Sequence, residues 1–351
     1  MKTQRLPIDA NNLETPAARE ALERAAEIVR RGGLVALPTE TVYGLGANAL
    51  DSAAVGRIFA AKSRPKWDPI IVHIASVEML DGLVEDVPEA ARRLMEAFWP
   101  GPLTLLLKRT SAIPDAVTAG RPLVGVRMPA HPVALELIRR AGVPIAAPSA
   151  NRFGHVSPTT AEHVLHDLDG RIEAVLDAGP TLRGVESTVL DPATQPMTIY
   201  RPGAVTAEQI RAVAGAVEIF KSSEKLRETP VEALPSPGVG LRHYAPRARL
   251  VLVEAPGAEL SHRLGQAAKE LDGEKLGAML PAEFTPPPGV APEHVFAWGC
   301  WEAPETMARR LYAGLRALDA AGCTAILCPL PPADGIGAAI RDRLRKAASK
   351  G

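Results

Sequence analysis

The sequence predicts an α/β protein in two parts, a mixed twisted sheet with flanking helices followed by a smaller, more regular α/β domain. The chain has 351 residues, and at roughly 150 residues per domain this length corresponds to about two domains. Apolar runs typical of strands alternate with segments of helical periodicity. This alternation is imperfect in the first part and regular in the last. Residues 221–246 lose this periodicity and gain Pro, Ser and charge, which is typical of a linker. We therefore predict domains at 1–210 and 247–351, joined by a linker at 211–246.

The composition indicates an ordinary globular protein without a strong overall electrostatic field. Forty Lys and Arg balance forty Asp and Glu, so no overall positive charge favours nucleic acid or an anionic membrane. No run approaches the roughly 18 apolar residues that cross a bilayer, and the first residues lack an apolar signal core. We expect a cytoplasmic protein with no membrane association. Three cysteines, Cys300, Cys323 and Cys328, form neither a paired framework nor a four-cysteine zinc site, and we predict core thiols.

The elements of the first part follow from periodicity and from breakers. Residues 16–31 place Leu22, Ala25, Ala26 and Val29 at helical spacing, and the glycines at 32 and 33 end that helix. A short apolar strand at 34–37 then opens at Pro38 into a predicted loop at 39–46. Further helices are predicted near 52–62, 88–98, 131–141 and 159–168, and further strands near 70–74, 103–108, 123–128, 143–147, 174–177, 187–191 and 198–201.

The last part alternates more regularly. Strands are predicted at 250–254, 275–280, 294–299 and 324–329, and helices at 259–271, 305–322 and 336–348. This order is typical of a small α/β domain of Rossmann-like type.

Two polar side chains lie inside apolar strands of the first part. His73 stands in the run IIVHI, and a single histidine in a strand is usually a satisfied core residue. Arg127 stands in VGVRM, and because arginine cannot shed its charge it needs an anionic partner. That partner is either a bound carboxylate or phosphate or an internal Asp or Glu, and the residues alone leave both open.

Nucleotide-binding patterns are weak when taken singly. No P-loop motif occurs, so any phosphate has to be held by side chains such as those of the segment KSRPK at 62–66. The alternative is a solvated helix end, where cations are favoured. Gly44 and Gly46 imitate a dinucleotide fingerprint, but no βαβ unit precedes them, and turn or close-packing glycines fit better. Ser149 and Ser187 lie in no nucleophile-elbow motif, which argues against a serine hydrolase.

Several strands run into loops that contain proline and polar residues, as in LPTE, VRMP, AAPSAN and YRPG, so their ends converge on one surface. The segments PTETVYGLGANA, KSRPKWDPIIVHI, WPGPLTLLL, VGVRMPAHP, PIAAPSANRFGHVSPT, ESTVLD and YRPGAV, in this order, resemble the YrdC-like threonylcarbamoyl-AMP synthases. SPG followed by RHYAPRA, and the last α/β domain, resemble the two-domain form. The resemblance covers nearly the whole chain and implies a YrdC-like mixed sheet.

The resemblance implies an enzyme that condenses L-threonine, bicarbonate or CO2, and ATP into L-threonylcarbamoyladenylate and pyrophosphate. Mg2+ would arrive with ATP, with no metal ligand from protein side chains, and other proteins would transfer the threonylcarbamoyl group to tRNA. Carried over by motif, Lys62 and Arg64 are the catalytic cations. The implied ATP contacts are Lys62, Arg64, Asp68, Ser149, Asn151, Ser157, Arg201, Ser236 and Tyr244. The implied L-threonine contacts are Thr41, His73, Arg127, the backbone at Ala147, and Ser187.

The linker with Ser236 and Tyr244 is expected to act as a lid, although Val239-Gly240-Leu241 replaces the Met and the aromatic or basic residue that the family commonly has there. A rival hypothesis is an RNA-binding module, and weak RNA affinity is a secondary expectation, although zero net charge and 4% aromatic residues argue against a dedicated binder. A third candidate, the carbamoyl chemistry of hydrogenase maturation, needs cysteine-rich zinc fingers that three cysteines cannot build.

Overall fold

The computed structural model describes residues 2–220, 236 and 243–349. The chain divides into two compact units. Unit 1 comprises Met1–Phe153, Ser157–Leu182 and Glu186–Gly240, and unit 2 comprises Gly154–Val156, Arg183–Val185 and Leu241–Gly351. Residues 221–235 and 237–242 of the predicted linker, which include most of the proposed lid, lie outside the described residues.

Unit 1 is built on one mixed sheet. In the described residues its strands are β1 (Gln4–Pro7), β2 (Val35–Leu37), β3 (Gly44–Asn48), β4 (Val72–His73), β5 (Leu103–Lys108), β6 (Leu123–Arg127), β7 (Ile145–Ala146), β8 (Ala174–Asp177), β9 (Thr188–Asp191), β10 (Met197–Arg201) and β11 (Val217–Ile219). Their spatial order is β1-β8-β2-β3-β7-β4-β6-β5-β9-β10-β11. Five of the neighbouring pairs are parallel and five are antiparallel, which confirms the predicted mixed sheet.

Helices cover both faces of this sheet. They are α1 (Pro16–Arg30), α2 (Ser52–Lys62), α3 (Glu89–Phe98), α4 (Asp115–Thr118), α5 (Pro132–Ala141), α6 (Ala161–Leu168) and α7 (Ala207–Ala214). α1 and α5 bury Leu22, Val29 and Leu137 on one face, and the other helices bury side chains such as Ile58 and Leu94 on the opposite face. The prediction of helices that flank the sheet is therefore confirmed, although α4 and α7 were not predicted.

The predicted loop at 39–46 is wrong in its second half, because Gly44–Asn48 forms strand β3 between β2 and β7. Glycine at 46 is needed for packing rather than for a turn. A Cβ there would lie 2.8 Å from Ile145 Cγ2 and 2.8 Å from Leu37 Cδ2. The close-packing interpretation of this glycine is confirmed. The strands β1 and β11 and the helices α4 and α7 were not predicted from the sequence.

Unit 2 contains a four-stranded parallel sheet. Its strands are β12 (Arg249–Val253), β13 (Leu276–Pro281), β14 (Val295–Gly299) and β15 (Ala325–Pro329), in the order β12-β15-β13-β14. Helices α8 (Gly257–Lys269), α9 (Pro304–Ala320) and α10 (Gly337–Ala348) follow β12, β14 and β15, as predicted.

The cysteines of unit 2 fit the sequence prediction in part. Cys323 and Cys328 are buried, whereas Cys300 is partly exposed just after β14, so the prediction of a core thiol is wrong there. β14 is an edge strand, and the chain leaves it at Gly299 in a backbone conformation with φ of 123°. Within the part of the chain that the structure describes, no helix is long and apolar enough to span a membrane.

Candidate active site

Arg127 is buried at the end of β6 and holds the loop between β2 and β3. Its Nη1 donates to Thr41 Oγ1 at 3.1 Å and its Nε donates to the carbonyl oxygen of Gly101 at 3.2 Å. Its Nη2 lies 2.6 Å from Glu40 Oε1. Of the two partners that the sequence left open, this structure therefore contains the internal acid.

The loop that carries Glu40 and Thr41 is held by its own side chains. Thr39 Oγ1 donates to the carbonyl oxygen of Val42 at 2.6 Å and accepts from the backbone N–H of Thr41 at 3.2 Å. Local hydroxyl-to-backbone bonds of this kind fix turns without regular structure. The Thr41 hydroxyl is therefore presented to Arg127 in a fixed position.

His73 lies beside Arg127. The two residues are register partners in the parallel pair β4 and β6, and both are buried. Burial, and then the positive charge of Arg127, lowers the pKa of His73 to about 3, so the imidazole is neutral near pH 7. Its Nδ1 has no hydrogen-bond partner among the described residues. Ala147, another predicted threonine contact, follows β7 and donates its N–H to the carbonyl oxygen of Ile71 at 2.9 Å.

Ser187 and Arg201 form a second buried group, at the start of β9 and the end of β10. Arg201 Nη2 donates to the Ser187 carbonyl oxygen at 2.9 Å and to Ser187 Oγ at 3.0 Å. Ser187 Oγ also lies 2.8 Å from Thr104 Oγ1 on β5. Gly203 makes this arrangement possible, because a Cβ there would lie 2.3 Å from the backbone nitrogen of Thr188. Arg201, predicted to face ATP, is thus joined directly to Ser187, predicted to face threonine.

Lys62 ends α2 and is buried, contrary to the alternative of a solvated helix end. Its Nζ donates to the carbonyl oxygens of Ser149 and Asn151. Burial, and then the nearby charge of Arg64, lowers the pKa of Lys62 well below its usual value. Lys62 therefore ties helix α2 to the predicted nucleotide loop at 149–151.

Arg64 and Asp68 form a buried ion pair in the segment after α2. Arg64 Nη2 lies 2.9 Å from Asp68 Oδ2 and donates to the carbonyl oxygen of Pro69 at 2.8 Å. Ser63, at the end of α2, adopts a left-handed conformation with φ of 54°, which turns the chain into this segment. The structure thus brings Lys62, Arg64 and Asp68 together in one buried cationic turn.

The loop at 39–43 also contacts the predicted nucleotide segments. The backbone carbonyl of Tyr43 accepts from the N–H of Ala150 at 2.8 Å, and the Tyr43 N–H donates to the carbonyl oxygen of Pro158 at 2.9 Å. Next to Pro158, the buried Ser157 hydroxyl donates to Glu186 Oε1 at 2.7 Å. A single loop therefore joins the Arg127 group to the segments that carry Ser149, Asn151 and Ser157.

The two predicted ATP contacts from the linker region are both buried. Ser236 is a described residue of unit 1, and Tyr244 belongs to unit 2. The ring of Tyr244 stacks on Tyr312 with centroids 5.8 Å apart, and the guanidinium of Arg343 lies 5.2 Å from its centroid. Their contact with ATP stays a prediction.

Sequence reasoning singled out neither Glu40 nor Thr104 as a site residue. Glu40 carried one signal, because a carboxylate between two threonines directly after a buried strand is an unusual place for a solvated charge. Thr104 lies in an otherwise apolar strand, where a single threonine is ordinary. Its role is visible only in the contact with Ser187.

The geometry defines a class of site. The buried guanidinium groups of Arg127 and Arg201 lie at the ends of β6 and β10. The buried side chains of Lys62 and Arg64 lie at and just after the end of α2, and no P-loop occurs. Such groups suit carboxylate and phosphate ligands, since arginine offers a planar fork of donors and buried cations are poorly screened. The fold and site therefore define an α/β protein whose buried cationic side chains form a candidate anion-binding site.

The comparisons assign the family. A family model described as telomere recombination matches residues 27–203, and one described as the C-terminal domain of threonylcarbamoyl-AMP synthase matches residues 205–349. The chain is 44% identical over 350 residues to a threonylcarbamoyl-AMP synthase of Bacillus subtilis, which covers 99% of this chain and 98% of the relative. It is 43% identical to one from Pyrococcus abyssi over 92% of each chain.

A solved structure agrees with these sequence matches. The crystal structure of Pyrococcus abyssi Sua5 complexed with L-threonine matches with a TM-score of 0.89 at 40% identity, covering 99% of this chain and 98% of that one. The chain belongs to the two-domain Sua5 form of the threonylcarbamoyl-AMP synthase family, whose members are nucleotidyltransferase-type enzymes.

Proposed function

We propose that this protein condenses L-threonine, CO2 or bicarbonate, and ATP into L-threonylcarbamoyladenylate and pyrophosphate. The observation that carries this proposal is the loop at 39–43. It holds Arg127, a receptor suited to a carboxylate, and also hydrogen-bonds the segments around Ser149 and Ser157. One loop thus links an amino-acid-type subsite to a phosphate-type subsite. The relatives named threonylcarbamoyl-AMP synthase, and the relative complexed with L-threonine, support the same assignment.

In this proposal the threonine subsite consists of Thr41, His73, Arg127, the backbone at Ala147, and Ser187. Arg127 takes the substrate carboxylate, because a guanidinium can donate two parallel hydrogen bonds to it. His73, neutral at pH 7 through its lowered pKa, offers hydrogen-bonding nitrogens rather than a charge. Ser187 supplies a hydroxyl whose position is fixed by Arg201 and Thr104.

In unit 1 the proposed nucleotide subsite consists of Lys62, Arg64, Asp68, Ser149, Asn151, Ser157 and Arg201. Contact of Ser236 and Tyr244 with ATP stays a prediction. The threonine amine takes up CO2 with loss of a proton, and a carbamate oxygen then attacks the α-phosphorus of ATP as pyrophosphate leaves. Lys62 and Arg64 offset the charge that develops on the phosphates. Catalysis by positioning suffices, and no covalent enzyme intermediate is required.

Magnesium enters this proposal with ATP. The carboxylates of Asp68 and Glu186 lie within hydrogen-bond distance of Arg64 and Ser157, and that of Glu40 lies beside Arg127. Because each of these carboxylates already lies close to a protein cation or hydroxyl, we assign the metal to the substrate phosphates rather than to these side chains. The ion would stabilise the leaving pyrophosphate. We also propose that the product passes to proteins that transfer the threonylcarbamoyl group to tRNA, and that the enzyme acts in the cytoplasm.

Pyrophosphate release by the purified full-length protein with Mg2+ and ATP tests this function. Release is expected only when L-threonine and bicarbonate are both present. L-Serine lacks the methyl group and L-valine carries a second methyl group in place of the hydroxyl. Both should be slower, since serine leaves apolar space unfilled and valine leaves polar groups of the subsite unpaired. Release that is independent of the amino acid, or the absence of release with every combination, would overturn the proposal.

A further inference from the structure

Glu40 is a buried carboxylate that the proposed reaction does not use. It is 5% exposed and lies in the loop that also presents Thr41 to Arg127. Neither of its oxygens has a hydrogen-bond partner among the described residues, although Oε1 is only 2.6 Å from Arg127 Nη2. The two charges are therefore close without being aligned for a hydrogen bond. Burying a carboxylate in this way is costly, which marks the contact as replaceable.

We propose that Glu40 receives the α-ammonium group of L-threonine, and that it releases Arg127 to the carboxylate of the same substrate. This inference rests on the proposed function and adds a residue to its threonine subsite.

Charge balance supports the exchange. The subsite holds one buried cation and one buried anion, Arg127 and Glu40. An amino acid brings one of each, so after the exchange every charge faces an opposite one. In the zwitterion a single carbon atom separates the ammonium from the carboxylate. When the substrate carboxylate binds Arg127, the substrate ammonium therefore lies close to Glu40.

The histidines near Glu40 do not neutralise its charge. Burial lowers the pKa of His131, which lies near Glu40, and burial with the charge of Arg127 lowers that of His73 to about 3. Neither histidine therefore supplies a permanent cation to Glu40 near pH 7. Arg127 is the cation that faces Glu40 in the described structure, and Arg127 is also the group that binds the substrate carboxylate in the proposed function.

The exchange predicts a specific pattern of ligand affinity. L-Threonine satisfies both Arg127 and Glu40. The analogue 2,3-dihydroxybutanoate, in which a hydroxyl replaces the amine, has to displace Glu40 without supplying a cation. Glu40→Gln removes the negative charge, so the analogue no longer leaves a buried carboxylate unpaired. The same change removes the attraction for the ammonium group of L-threonine. The variant should therefore bind L-threonine more weakly and the analogue equally well or more tightly.

Isothermal titration calorimetry of the full-length protein with each ligand tests this inference. Glu40→Gln should weaken L-threonine binding by about 10- to 100-fold, the usual range for a lost charge-assisted contact. The ratio of the analogue Kd to the L-threonine Kd should fall by at least about tenfold. Glu85→Gln, which removes the same charge from an exposed pair with Lys108, should leave that ratio unchanged. Glu40→Asp keeps the charge and should recover part of the selectivity.

The outcomes separate this inference from the proposed function. Equal weakening of both ligands in a folded Glu40→Gln variant would mean that Glu40 only supports the fold of the pocket, and the inference would fall. Unchanged L-threonine affinity would overturn it as well. Failure of the unaltered protein to bind L-threonine at all would instead contradict the proposed function. The selectivity of Glu40→Asp decides the matter if the Gln variant does not fold.

Discussion

Replacing His73 by asparagine should make the protein less sensitive to acid. The pKa of His73 is about 3 in the folded protein, lowered from 6.5 by burial and then by Arg127. Between these two values the unfolded chain binds a proton that the folded chain does not, so stability falls as the pH falls through this window. Each pKa unit corresponds to 1.36 kcal/mol, so going from about pH 6.5 to about pH 5 should cost the unaltered protein about 2 kcal/mol through this residue.

Urea unfolding at the two pH values, followed by tryptophan fluorescence, measures this effect. Trp67 and Trp99 report on unit 1, which contains His73. The loss of unfolding free energy on acidification should be about 2 kcal/mol smaller in His73→Asn than in the unaltered protein. His262→Asn, at an exposed position, controls for the substitution itself. An equal loss of unfolding free energy in the unaltered protein and in His73→Asn would refute the reasoning, because His73 would then have the same pKa in the folded and unfolded states.

Two further predictions concern the positions that hold the site. Lys62→Ala and Arg64→Ala should each lower the rate of pyrophosphate release by about 100-fold or more. Lys62→Ala should also lower the unfolding free energy, since two buried carbonyls lose their donor. Near-normal release in either variant would remove that residue from the catalytic assignment. Gly203→Ala should destabilise unit 1 by more than about 2 kcal/mol and impair activity, because its Cβ would meet the Thr188 backbone at 2.3 Å. The matched change Gly56→Ala, in α2 with no atom within 4 Å of the new Cβ, should instead stabilise by about 0.5–1 kcal/mol in the same unfolding measurement. The same sign for both glycine variants would contradict the packing argument.

Much of the fold was accessible from periodicity because most elements carry an amphipathic or fully apolar pattern. Helix α1 and strands β5 and β6 were predicted within a residue or so of their observed ends. Strand β3 was missed because its two glycines resemble a turn, whereas Gly46 is needed for close packing against Ile145 and Leu37. The order of the eleven strands was beyond sequence reasoning, since it depends on pairings between residues far apart in the chain.

The site was predicted mainly through its family motifs. Arg127 was the exception, because a charged residue inside an apolar strand demands a partner on physical grounds alone. The identity of that partner could not be predicted, since Glu40 meets Arg127 only after the β2–β3 loop folds onto β6. In the same way, the sequence showed Lys62 as a helix-end cation. Its burial against the carbonyls of Ser149 and Asn151 depends on how the end of α2 meets the loop at 149–151.

The most direct test of the central claim is the identity of the adenylate product. We would incubate the full-length protein with ATP, Mg2+, L-threonine and bicarbonate that is either unlabelled or labelled with carbon-13, and analyse the product by mass spectrometry. We expect a species with the mass of L-threonylcarbamoyladenylate that contains one carbon-13 atom in the labelled reaction and is absent without L-threonine. A threonyl-adenylate without the label, or no adenylate at all, would contradict the central claim.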